Sequence, residues 1–171
     1  MATKEEIKHL EKKYGIKIIY YPKWLINIMD KLGKSGATIC LNKKMIMYRN
    51  YVEGASEEYL ESTFVHEKVH ETRIPDDILG LFWWYLKYIF SREFRFKEEA
   101  YAYATEIIFE NEGNHWKHYE RDISWKAQIM AGSTYKFFGP MCDKHDAEVF
   151  LTKIVKRRKN TIQDYSKAKW P

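Results

Sequence analysis

Residues 66–70 read His66-Glu67-Lys68-Val69-His70, an H-E-x-x-H spacing. On a helix, residues four apart stand one above the other on the same face. His66 and His70 would then turn two imidazoles toward one point, which suits a Zn2+ ion bound through ring nitrogens at about 2.0–2.1 Å. Glu67 adjoins the first of them and is the candidate general base for metal-assisted hydrolysis. This chemistry requires a helix, and the flanking residues predict one. Ser56 is a good N-cap, Glu57 and Glu58 complement the positive helix end, and neither Pro nor Gly interrupts residues 56–71. Tyr59, Leu60, Thr63, Phe64 and Val65 form a mostly apolar stripe, and Pro75 stops the run.

A catalytic zinc takes three protein ligands and keeps one position open. Three candidates compete for the third place. The pair Glu98-Glu99 heads a segment with small residues at Ala100, Ala102 and Ala104, which would let two helices approach closely. Asp76 lies six residues after His70, the spacing of the third ligand in metzincin-like sites, but Arg73 stands where such sites need Gly. His115 and His118 flank Trp116-Lys117 in a predicted loop. Each has an ordinary structural role as well: helix-dipole complement for Glu98 and Glu99, helix cap for Asp76, surface loop for the histidines. Cys142-Asp143-Lys144-His145 lacks a partner pair for a second metal, and His145 reads as a helix-terminus residue. Tyr101, Tyr103 and His118 are candidate oxyanion donors, and Glu71, Asp76 and Asp77 could orient the imidazoles.

Over residues 37–105 the chain resembles the zincin superfamily and, more narrowly, the small ImmA/IrrE-type metallopeptidases. In that family H-E-x-x-H is followed about 25–30 residues later by a Glu-Ala-x-x-[Phe/Tyr]-Ala helix whose Glu binds the metal. Glu99-Ala100-Tyr101-Ala102-Tyr103-Ala104 matches that pattern, whereas Val69 stands where the family often has Gly. The chain is also similar to short metallopeptidase-like proteins of phage genomes. The resemblance implies a Zn2+ cofactor held by His66, His70 and Glu99, with Glu67 as general base in hydrolysis of a protein or peptide substrate. The location expected is cytoplasmic, or alternatively the virion.

The elements that must position these residues follow from periodicity. Residues 3–13 predict a helix stopped by Gly15, residues 16–21 a strand closed by Pro22, and residues 24–32 a second helix. Residues 37–41 and 45–48, joined at Asn42-Lys43-Lys44, predict a β-hairpin whose outer strand could pair with an extended peptide. Beyond the H-E-x-x-H helix, helices are predicted from Asp76-Asp77 to Phe90, from Lys97 to Asn111, from Asp122 or Ser124 to Phe137, and from Lys144 to Arg158, with Ser91–Phe96 a connector and Gly139-Pro140 a stop. The fold class expected is α+β: a small mixed or antiparallel sheet beside the H-E-x-x-H helix, then a mostly helical C-terminal half. One zincin-like domain would span 1–159, with 160–171 an exposed tail.

The chain has 171 residues, 16% aromatic, enough for a substantial core. Two cysteines, Cys40 and Cys142, fit a reducing compartment. The N-terminus lacks the apolar stretch of a signal peptide. The apolar run 78–90 is short of the roughly 20 residues that span a bilayer. Being apolar nearly all round, it predicts deep burial or a partner surface. An assembly component with a zincin-like fold and no peptidase activity, for example of a phage particle, is therefore the alternative to an enzyme. The net charge of +5 gathers late, at Lys153, Lys156, Arg157, Arg158 and Lys159. No nucleic-acid reading motif accompanies it, so a solvated helix end is the expected role.

Overall fold

The computed structural model describes residues 1–31, 38–41, 43–112, 116, 118–132, 141–159, 161, 162 and 164–166. Asn42, His115, Phe137 and Gly139-Pro140, each named above, lie outside them. Chain order is α1 (Lys4–Tyr14), β1 (Lys17–Tyr20), α2 (Lys23–Lys31), β2 (Ile39–Leu41), β3 (Lys44–Met47), α3 (Arg49–Gly54), α4 (Glu57–Arg73), α5 (Ile78–Phe90), α6 (Arg92–Glu112), α7 (Tyr119–Ala131) and α8 (Lys144–Arg158).

The α+β expectation is corrected: the fold is predominantly helical. Its strands are only three or four residues long. They lie in the order β1-β3-β2, with β1 parallel to β3 and β2 antiparallel to it. Helix replaces linker at two places. Residues 50–56, whose sequence reads as a link from the hairpin to the H-E-x-x-H helix, are mostly taken up by α3 (Arg49–Gly54). Ser91, read as the start of a connector, ends one helix and opens the next: its N–H bonds Lys87 O, and its Oγ accepts from the Phe94 N–H. The result is a 21-residue α6 in place of a loop and a shorter helix.

Local chemistry fixes the helices that carry the candidate site. Ser56 Oγ accepts from the Tyr59 N–H and opens α4, as its sequence position suggests. Asp77 caps α5 at the Gly80 N–H. Gly80 is needed there, because a Cβ would lie 2.6 Å from both the Asp77 carboxylate and Pro75. Arg95, 1% exposed, donates to the Tyr88 and Ile89 carbonyls and so satisfies groups that the end of α5 leaves unpaired.

Two apolar clusters hold the elements together. One joins α1 to α4 and β3 through Leu10, Tyr14, Met45, Leu60 and Phe64. The other joins α6, α7 and α8 through Ala104, Ile107, Ala127, Met130 and Leu151. Burying each Leu, Ile, Met or Phe contributes about 1.5–3 kcal/mol. α4 lies along α6, between the clusters, where buried Ala100, Ala102 and Ala104 permit close packing. Within the segment expected to be an exposed tail, Tyr165 packs on Phe109 and donates to Glu112. α5 is tied to the sheet edge by Tyr85, whose hydroxyl donates to the Cys40 carbonyl on β2. Among the described residues, no helix is long and apolar enough to cross a membrane.

Candidate metal centre

α4 and α6 run antiparallel and face each other through polar side chains. Along α4 these are Ser62, His66 and His70, four residues apart, and then Arg73. Along α6 they are Glu98, Glu99, Tyr103, Glu106 and Glu110. Arg73 grips Glu98 with Nε at 2.8 Å and Nη2 at 2.7 Å, both charge-assisted. That leaves Glu99 as the carboxylate facing the histidines. Its oxygens stand 3.6 Å from His66 Nε2 and 3.5 Å from His70 Nε2. One ligand atom from each of His66, His70 and Glu99 falls within 4.8 Å of the others, a grouping that could hold a metal ion. Tetrahedral bonds of 2.0–2.1 Å put neighbouring ligand atoms about 3.4 Å apart, close to the two imidazole–carboxylate separations, each of which is to a different oxygen of Glu99.

The surroundings fix how these donors are presented. His66 Nδ1 lies 3.1 Å from Glu106 Oε2, so the proton on that nitrogen points at a carboxylate and Nε2 is turned toward Glu99. Glu106 is held in turn by Lys126 Nζ at 2.6 Å and by Ser62 Oγ at 2.9 Å. Ser62 Oγ also lies 2.7 Å from Glu110 Oε1. A hydroxyl has one proton to give, so Ser62 donates to one of the two carboxylates at a time; burial raises the pKa of Glu110, against the pull of Lys126. Tyr88 OH donates to Glu99 Oε1. Tyr103 stands edge-on to the His66 ring at 4.6 Å, and Trp84 and Tyr88 stack beside His70. α5 thus walls one side of the site.

Burial and charge set the protonation states. For His66, burial favours the neutral ring, but the bonds to Glu106 and Glu99 and their charges outweigh it and raise the pKa to about 10. For His70, burial dominates and the pKa falls to about 4. His70 is thus neutral at pH 7, and its buried Nδ1 has no hydrogen-bond partner among the described residues. Glu106 is subject to the same burial, yet His66 and Lys126 bring it down to about 2. Glu67 is pushed up to about 7 by burial, with Glu99 and Glu106 adding to the rise against His66. Burial raises the hydroxyls of Tyr21, Tyr85 and Tyr88, and the charge of Glu67 adds to each rise.

The other candidates go elsewhere. Asp76 is exposed and Asp77 caps α5. Glu71 pairs with Lys68 at 2.6 Å and orients neither imidazole. His118 lines a cleft of about 290 Å³ with Ser62, Glu110 and Asp122, separated from His66 by Ser62 and Glu106. Tyr101 lies under the Arg73 guanidinium. Cys142 is buried and His145 exposed near the start of α8, and neither joins a metal-binding group among the described residues.

Sequence reasoning missed Glu106, Lys126, Ser62 and Tyr88. A signal for two of them was present. Ser62 lies four residues before His66, and Glu106 seven residues after Glu99, so each falls on the face its helix turns inward. Comparison with protein-family models, curated proteins and solved structures found no match to this chain.

Proposed function

We propose that the chain is a zinc-dependent metallopeptidase, with His66, His70 and Glu99 as ligands and Glu67 as general base. The observation that carries this reading is the convergence of two imidazoles and one carboxylate, from two helices, at zinc-compatible spacing. When bound, zinc would polarise the scissile carbonyl and acidify water. The chain's own groups supply the rest. Glu67, with a pKa near 7, is matched to take a proton from the attacking water and hand it to the leaving amine. Glu106 keeps the His66 ring oriented, and Tyr88 keeps Glu99 turned inward. Trp84 and Tyr88 exclude water from the His70 side, which strengthens every charge interaction inside.

The test is digestion of a degenerate peptide library by zinc-loaded protein, read by mass spectrometry. Wild type should cleave. Glu67→Gln should retain zinc and lose about 10²–10⁴-fold in rate. Equal cleavage by the two proteins would overturn the reading. The exposed apolar face of α5 favours a second reading, an assembly component that holds zinc for stability alone. That reading is supported if zinc binds at one per chain while no peptide is cut.

A further inference from the structure

α5 has two faces with different tasks. Trp84, Tyr85 and Tyr88 turn inward to the metal centre and the sheet edge. Ile78, Leu79, Phe82, Trp83, Ile89 and Phe90 are exposed on the outside, Ile78 and Phe90 to 83% and 80%. Together they expose on the order of 700–800 Å² of apolar surface. A monomer's largest patch is typically about 300–600 Å², and each partner in a standard-size interface contributes about 800 Å². Nothing among the described residues covers this face.

The pattern along it is symmetric apart from Trp83, which falls on the inward-turned Tyr85. Reversed about position 84, Ile78 falls on Phe90, Leu79 on Ile89, and Phe82 on the half-buried Leu86. One pair of charges bounding the stripe reverses the same way: exposed Asp76 falls on exposed Arg92. Two such helices laid antiparallel would set apolar residues against apolar residues, acids against bases, and opposed helix dipoles side by side. A lipid surface would explain the apolar stripe, but not why its two ends carry opposite charges.

We infer that the outer face of α5 pairs with α5 of a second copy of this chain, antiparallel across a two-fold axis at the level of Trp84. Such an interface is isologous and closes at two subunits. It is independent of what the site on the inner face binds, so a failed peptidase assay leaves it standing. Its consequence for that site is mechanical: the helix carrying Trp84 and Tyr88 is held from both sides.

Sedimentation velocity and cross-linking test it on the full chain. Wild type should sediment as a dimer in the tens of micromolar, and Phe82→Asp as a monomer with unchanged far-UV circular dichroism. For register, chains with one exposed cysteine are used, since Cys40 and Cys142 are buried. A mixture of Ile78→Cys and Phe90→Cys should form a disulfide-linked heterodimer under mild oxidation. Ile78→Cys alone should not, because twelve positions at 1.5 Å per residue separate the two copies of that residue by about 18 Å, while disulfide Cα atoms lie within about 7 Å. A monomeric wild type, or self-linking of Ile78→Cys as efficient as that of the mixture, overturns the inference. So does a monomer that pellets with anionic phosphatidylserine vesicles through α5, which would assign the face to lipid.

Discussion

Glu106 is not itself a candidate ligand, yet its bond to His66 Nδ1 governs how that ring is offered. Removing a carboxylate that orients a ligating imidazole typically lowers metal affinity 10–100-fold. Glu106→Gln should therefore bind zinc about that much more weakly, measured by competition with a chromophoric chelator, while Glu110→Gln should bind nearly as wild type. His66 also makes the metal-free protein sensitive to base. Its folded pKa is raised to about 10 from 6.5, so its ion pairs with Glu106 and Glu99 stabilise the fold fully below pH 6.5 and are lost as pH rises toward 10. Urea midpoints of the metal-free protein should fall between pH 7 and 9.5. In His66→Gln that slope should flatten. The histidine pair and Glu67 were legible because H-E-x-x-H is local in the chain. Glu106 and Lys126 were not, because their roles exist only once α6 and α7 are laid against α4.

At the scale of elements, what the residues announced depended on capping. α4 carries its own start signal in Ser56, Glu57 and Glu58, and it forms where the sequence places it. α3 has no side-chain cap at Tyr48, and nothing in Arg49–Gly54 marks it as helical. Ser91 was an ambiguous signal: the same residue closes α5 and opens α6, a sharing visible only in coordinates. The parallel pairing of β1 with β3 joins segments separated by α2 and β2, and no turn chemistry advertises it. The start of α5 gives the prediction at this scale. Gly80→Ala must push aside either the Asp77 carboxylate or Pro75. Loss of such a cap costs about 1 kcal/mol, within a range of roughly 0.5–2. Chemical denaturation should show that loss, and it should shrink when Asp77 is already Ala.

For the whole molecule, the candidate centre sits on the seam between the two apolar clusters, with α4 contributing mainly to one, apart from Val69, and α6 mainly to the other, apart from Phe109. A metal held there would clamp the halves together. At a free zinc concentration 100 times its Kd, binding adds about 2.7 kcal/mol. In a chain of this size that corresponds to a rise in Tm of about 5–10 °C. Differential scanning fluorimetry with zinc and then with excess chelator should show this rise and its reversal, and Glu99→Ala should show neither. The predominance of helix over sheet belongs to this scale too. Residues 39–47 have the composition of a hairpin, but a three-residue β2 and a four-residue β3 form only a small patch against the helices.

The bond from Tyr85 to the Cys40 carbonyl has a bearing on what this surface can select. β2 is an outer strand, and the aromatic hydroxyl already occupies one of the main-chain acceptors that a visiting extended chain would seek. Docking of such a chain there would exchange one hydrogen bond for another, close to neutral in free energy. Backbone complementarity would then distinguish little between visitors, and discrimination would pass to whichever side chains fit the aromatic wall beside it.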